Sequence, residues 1–335
     1  MIELLKSLCT LDATSGDEKT VRDFIISRIE GFAQYSVDNM GNLIVFKKGK
    51  KSAEKKVMID AHTDEVGLII TEITADGFLK VACVGGIDSA TLMFRRVLIN
   101  GKINGVIGGR PIHLLDSADS KKAVKVDKLY IDIGAKDAKE AEKYVRLGDR
   151  AVVCGDFHLC GDKIISKALD DRIGCAVLIK LLQEESEYDF YATFSTQEEL
   201  GMRGARAAAY SVNPDAAIIL EGTTAADIAD VAKEKQVCNL SKGVAVSFMD
   251  NAAVYDRALY EEAIESPVKV QTKRAVTGGN NSGAVHTTRG GVRTIALSVP
   301  CRYIHSASSV ADINDINAQY ELAKYMLCKI ASGET

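Results

Sequence analysis

The sequence predicts an α/β protein: a three-layer domain around a mixed, largely parallel sheet, interrupted by a small β-barrel-like insert. Two textures carry this reading. From about residue 162 onward, helical patterns alternate with short apolar runs, an order that places helices on both faces of a parallel sheet. Between about residues 67 and 161 the chain instead gives short strand-like runs broken by Asp76-Gly77, Asn100-Gly101 and Asn104-Gly105, pairs that favour positive φ and tight hairpins.

Taken in order, residues 15 to 34 read as a helix. Ser15-Gly16-Asp17-Glu18 has the pattern of a capping box, and Val21, Phe24, Ile25, Ile29 and Phe32 share one face. Strands follow at about 42–46 and 56–61, and the insert supplies strands near 68–73, 78–83, 96–100 and 102–107. Beyond it come a helix after Asp171, strand 190–195, a helix over 202–210 and strand 216–220. A helix over 255–266, strand 268–271, a helix near 282–289, strand 294–299 and a terminal helix from Asn314 complete the alternation. Residues 1–66 and 162–335 are therefore assigned to one discontinuous α/β domain, and 67–161 to the insert.

At 335 residues the chain is long enough for a large core, and 47% hydrophobic with 26% charged residues describes a folded, water-soluble protein. A net charge of -4 offers no basic footprint for nucleic acid, and no apolar run reaches the ~18 residues of a membrane span. The opening Met1-Ile2-Glu3-Leu4-Leu5-Lys6 enters an amphipathic pattern and does not read as a secretory signal. Eight scattered cysteines without a CxxC motif are expected to be reduced thiols of a cytoplasmic protein.

The chemistry gathers where buried strands are expected to stop. His62 follows Val57-Met58-Ile59-Asp60-Ala61, and His305 lies shortly after Ile295–Val299. Between them stand Asp170-Asp171, Glu198-Glu199 and Glu221, the last directly after Ala216–Leu220. Ligands of open α/β sheets sit beyond the carboxyl ends of the strands, so one shared site is expected. A close pair of divalent ions needs a bridging carboxylate with terminal His and carboxylate ligands, and zinc, cobalt and manganese all suit such donors. Asp170 is the candidate bridge. Asp64 is placed to accept a ring N–H of His62 and fix its tautomer. Of the adjacent Glu198 and Glu199, one can hold metal while the other accepts a proton from water. His113, His158 and His286 lack such surroundings and are not expected to be ligands.

The segments AHTDEVG, ALDDRIG, STQEELGMRGA and RYIHS together resemble metallopeptidase family 42, the dinuclear glutamyl and leucyl aminopeptidases, within the wider clan of zinc exopeptidases. The resemblance runs from about residue 3 to 330 with the motifs in order. It implies a zinc-exopeptidase-like α/β domain with an inserted β domain used for dimerisation or as a lid, two divalent ions (zinc first, cobalt or manganese as alternatives), and peptide substrates with a free N-terminus. It further implies that His62, Asp170 and Glu221 hold one ion, that Asp170, Glu199 and His305 hold the other, that Glu198 is the general base and that Asp64 supports His62. Self-assembly, up to a tetrahedral dodecamer built from dimers, is also implied. Two departures stand out: Glu221 replaces the Asp of many relatives, and Asn281 lies where many carry an acid.

Rival functions are a carboxypeptidase or deacylase of the same clan, a glycoside hydrolase of endoglucanase type, and a non-catalytic assembly protein. The second leaves His62 and His305 without a role, and 6% aromatic residues with no Trp offer little sugar-stacking surface. The third leaves the full ligand set unexplained.

Overall fold

A mainly apolar strand such as Val57–Ala61, broken only by Asp60, requires cover on both faces, and the fold provides it. The computed structural model describes residues 1–111 and 124–335. The chain opens with α1 (Ile2–Thr10), α2 (Lys19–Ile29), β1 (Gln34–Val37), β2 (Leu43–Lys47) and β3 (Val57–His62). Then come β4 (Gly67–Ile73), β5 (Leu79–Val84), β6 (Arg96–Ile99), β7 (Ile103–Gly108), β8 (Tyr130–Asp132), α3 (Ala138–Ala141) and β9 (Arg150–Val153). After β10 (His158–Cys160) and β11 (Lys163–Ser166), α4 (Leu169–Gln183) leads to β12 (Phe190–Ser195), α5 (Arg203–Val212) and β13 (Ala216–Thr224). The remainder is β14 (Val244–Val246), α6 (Arg257–Glu265), β15 (Val270–Thr272), α7 (Ser282–Val285), β16 (Arg293–Arg302), β17 (Ser309–Asp312) and α8 (Ile313–Ala331).

The large sheet has eleven strands, ordered β1-β2-β12-β3-β13-β16-β17-β11-β10, with β14 joining β16 and β15 joining β14. Its centre, β12-β3-β13-β16, is parallel, while β2 and β17 flank it antiparallel, so the sheet is mixed. The period-2 geometry of a strand sorts side chains into two layers. Val57, Ile59 and Ala61 of β3, with Ile218 and Leu220 of β13 and Ile295 and Leu297 of β16, pack into the core shared with residues of α1, α2, α4 and α8. The alternate positions Met58, Ala217, Ile219 and Ala296 pack instead against Ala205, Ala209 and Val212 of α5 and Val285 of α7.

The insert closes into a barrel, β4-β5-β8-β7-β6-β9, filled by Leu68, Ile70, Leu79, Val97, Ile99, Ile107 and Ile131. Asn100 and Gly101 both have positive φ, 48° and 65°, and make the tight turn between β6 and β7 that their sequence favours. Asn104-Gly105 behaves otherwise: it lies inside β7, and Gly105 is there for space, since a Cβ would meet Ile131 Cγ2 at 2.5 Å. No described helix is long and apolar enough to cross a membrane.

Several boundaries differ from the sequence reading. The helix expected over 15–34 is confined to Lys19–Ile29, and residues 34–37 form the edge strand β1. Its capping box does not form, because Ser15 donates to the distant Asp64 (2.7 Å) and Glu18 accepts from the Gln197 N–H (3.1 Å). The strand expected to stop at Leu220 runs on to Thr224, held in parallel register with β16 as far as Cys301. Glu221 therefore projects from within a strand.

Candidate metal centre and active site

Each candidate residue reaches the site from a strand or from the turn that follows it. His62 is the last residue of β3, Glu198 and Glu199 occupy the turn after β12, Glu221 lies in β13 and His305 lies between β16 and β17. Asp170 sits at the irregular start of α4, where it and Asp171 depart from helical φ and ψ and are joined by a cis peptide bond. Non-glycine residues with left-handed φ border three of these segments: Ala168 (53°), Gln197 (55°), and Tyr303 and His305 (57° and 58°). Such conformations cost about 1–3 kcal/mol each and concentrate where geometry serves function.

The side chains converge. His62 Nε2 lies 3.5 Å from Asp170 Oδ1 and 3.7 Å from Glu221 Oε2. His305 Nε2 lies 3.5 Å from Asp170 Oδ2 and 3.2 Å from Glu199 Oε1. Asp170 thus turns one oxygen toward each imidazole. Ligand atoms of His62, Asp170 and Glu199 fall within 4.8 Å of one another, as do those of Asp170, Asp171 and Glu221. The second grouping brings in Asp171, which the sequence reading did not name as a ligand. The Asp171 carboxylate is fully buried, with Oδ1 taking the Gly174 N–H at 2.9 Å.

The remaining nitrogen of each histidine is fixed by a main-chain carbonyl. His305 Nδ1 is 2.8 Å from Gly86 O, and His62 Nδ1 is 3.1 Å from Asp64 O. The Asp64 carboxylate, expected to take the His62 proton, also faces this nitrogen, with Oδ1 at 3.4 Å. That carboxylate accepts in addition the N–H groups of Glu198 (3.0 Å) and Glu199 (3.1 Å) and the Ser15 hydroxyl. Of the other histidines, His158 is exposed on β10, His286 Nδ1 faces Ser282 O at 2.7 Å, and His113 lies outside the described residues.

The electrostatics are those of crowded acids. Burial pushes the Glu198 carboxyl up to about 8, with the Glu199, Asp64 and Asp170 charges adding and His62 opposing. Burial also raises Glu221 well above the usual range. Asp170 is desolvated too, yet His305 and His62 outweigh that and hold it well below. Burial disfavours the charged form of His305, but Asp170 and Glu199 prevail and lift it to about 11.

The residues fit divalent cations. Among the described residues Glu221 Oε1 is buried without a hydrogen-bond partner, and Glu199 Oε1 has only His305 Nε2 at 3.2 Å, a costly setting for carboxylates that a cation relieves. Two buried protein cations, Lys167 and Arg172, are committed to Glu65 and to main-chain carbonyls. Lys167 Nζ binds both Glu65 oxygens at 2.7 and 2.8 Å, and Arg172 binds Glu65 and the carbonyls of Thr63, Leu8 and Leu11. A cavity opens beside Asp170, Glu199 and His305, walled by Val66, Ile87, Leu92 and Val153.

Sequence reasoning passed over a buried cluster beneath the site. Asp60 accepts from Thr193, from Ser195 Oγ at 3.1 Å and from Asn281 Nδ2 at 2.7 Å. An acid at position 60 in the middle of an apolar strand was the available signal. Asn281, one of the two departures noted in the sequence, is its amide partner.

Fold and site together define a hydrolase built on an exopeptidase-type sheet. The profile of the M42 glutamyl aminopeptidase family matches residues 41–322. A putative aminopeptidase of Acetivibrio thermocellus is 37% identical, with 98% of each chain covered. Among solved structures, a TET aminopeptidase from a marine-sediment Thaumarchaeota archaeon superposes with a TM-score of 0.94 at 30% identity, covering 99% of this chain and 96% of that one. The TET1 peptidase of Pyrococcus horikoshii, described as assembling into a tetrahedron or a large octahedral shell, gives 0.85 at 33% identity over 96% and 98%. The chain belongs to the M42 glutamyl aminopeptidase family and is an aminopeptidase, a hydrolase of peptide bonds.

Proposed function

We propose that the chain removes N-terminal residues from peptides with the help of two divalent ions, zinc first and cobalt or manganese as alternatives. His62, Asp170 and Glu221 hold one ion, and Asp170, Glu199 and His305 hold the other. The observation that carries this is the placement of Asp170, whose two oxygens face His62 and His305 at 3.5 Å each. One carboxylate shared between two histidine-bearing half-sites is what a bridging ligand requires.

When bound, the ions supply Lewis acidity at the scissile carbonyl and a water of lowered pKa. The chain's own residues do the rest. Glu198 takes the proton of the attacking water and passes it to the departing amine. Asp64 holds the turn that carries Glu198 and Glu199 through their N–H groups. A free substrate ammonium meets the surrounding carboxylates favourably, whereas a blocked N-terminus gains nothing there.

Residues 1–66 and 162–335 form the catalytic domain in this reading, and 67–161 the dimerisation or lid domain. We further assign a homo-oligomer, by likeness to the Pyrococcus horikoshii assembly, and a cytoplasmic setting on cysteine usage.

The test is a panel of aminoacyl chromogenic substrates and matched N-blocked peptides, run on chelated protein with each metal added back. Metal-restored cleavage of free-amine substrates alone is expected. Cleavage only of blocked peptides would instead support the deacylase or carboxypeptidase reading.

A further inference from the structure

We infer that Ser15 and Glu18, on the segment between α1 and α2, are positioning residues for the turn that presents Glu198 and Glu199. The inference rests on the site roles proposed above for Asp64, Glu198 and Glu199.

The turn needs an external hold. Gln197 sits at φ 55°, a left-handed conformation that a residue with a Cβ adopts at a cost. Three successive amides of this turn are then tied down by two carboxylates. Gln197 N–H donates to Glu18 Oε1 at 3.1 Å, Glu198 N–H to Asp64 Oδ1 at 3.0 Å, and Glu199 N–H to Asp64 Oδ2 at 3.1 Å. Asp64 Oδ2 also takes the Ser15 hydroxyl proton at 2.7 Å. Glu18 therefore holds the turn directly, and Ser15 holds it through Asp64.

The segment is built for this task. Ser15 is 1% exposed and Glu18 5%. Gly16 N–H donates to the same Glu18 Oε1 at 2.7 Å, which limits the carboxylate's rotamers. The segment is fastened to the strand end beside His62: Glu65 N–H donates to Ala13 O at 2.8 Å, and Ala13 N–H to Glu65 Oε1 at 3.2 Å. A residue that orients groups without touching substrate should affect turnover and ligand geometry more than substrate binding.

The experiment compares Glu18→Ala, Glu18→Gln, Ser15→Ala and Ser15→Thr in the full chain. It measures kcat and KM, the visible absorption and stoichiometry of bound Co2+, and Tm. Both alanine variants are expected to lose about 10–100-fold in kcat or Co2+ affinity, with KM within about twofold and an altered Co2+ spectrum. Glu18→Gln keeps an acceptor for the Gln197 N–H and Ser15→Thr keeps the hydroxyl, so each should restore most of the loss. Wild-type kcat and Co2+ spectra in both alanine variants would overturn the inference. So would a loss shared equally by the conservative variants and matched by a fall in Tm, which marks a purely structural role. Glu198→Gln is the control: if it is inactive while Glu18→Ala is unaffected, only the positioning role fails. If Glu198→Gln is fully active, the site reading fails and this inference falls with it.

Discussion

His305 Nδ1 lies 2.8 Å from the carbonyl oxygen of Gly86, a residue of the inserted segment between β5 and β6. The contact ties the barrel segment to the loop between β16 and β17. With Nδ1 committed to that carbonyl, Nε2 is left facing Asp170 and Glu199. Replacing His305 by Ala is expected to remove one divalent ion per chain and lower activity at least ~100-fold, more than loss of an outer partner would. Metal analysis of the purified variant checks this; two tightly held ions would sink the assignment.

Glu198 and Glu199 are adjacent but carry different proposed duties. Glu198→Gln should keep both ions, because its side chain is not among the proposed ligands, while kcat falls by ~10²–10⁴-fold. Parallel metal titration and turnover measurements decide it. A variant with wild-type turnover would remove Glu198 from the mechanism.

Glu65 pairs with two buried cations, with Lys167 Nζ at 2.7 Å and Arg172 Nη2 at 3.2 Å, and Asp12 adds a second acid 3.3 Å from Lys167. Removing one partner from a buried ion cluster typically costs about 3–5 kcal/mol, since the remaining charges stay desolvated. Glu65→Ala should therefore shift the urea unfolding midpoint strongly downward. An unchanged midpoint would mean that water reaches Lys167 and Arg172 freely.

The cavity beside Asp170, Glu199 and His305 is walled by Val66, Ile87, Leu92 and Val153, and its one lysine, Lys167, is saturated by Glu65. A substrate side chain entering it meets these apolar side chains beside the polar Thr91, Ser306 and Ser309. Leu92→Asp should lower kcat/KM for substrates with large aliphatic side chains by ~10-fold or more relative to alanyl substrates. A substrate panel with an unchanged ranking would show that the cavity holds no part of the substrate.

Much of this was readable from the chain because ionisable groups that follow buried apolar runs stand out. His62, Asp170, Glu199, Glu221 and His305 were each named on that ground or by family resemblance, and the structure gathers them. What escaped was information held between distant segments. Ser15 and Glu18 have the spacing of a helix cap, and nothing local reveals that their partners are Asp64 and Gln197. Asn104-Gly105 has the composition of a turn, yet pairing with Leu98 and Val97 of β6, under Ile131, makes it strand. Edge strands such as β10, exposed at every position, lack any apolar pattern to announce them.

The order in which these strands emerge during synthesis has its own consequence. β3 is buried at all six positions, and among the described residues its sheet partners are β12 and β13. Both lie on the far side of the barrel, which can close from residues 67–153 alone. A growing chain thus exposes all six barrel strands before β3 has either of its neighbours. Until Phe190–Ser195 leaves the ribosome, Val57–His62 is a sticky ribbon with both edges open, the kind of segment that chaperones shield and that crowded nascent chains exchange with one another.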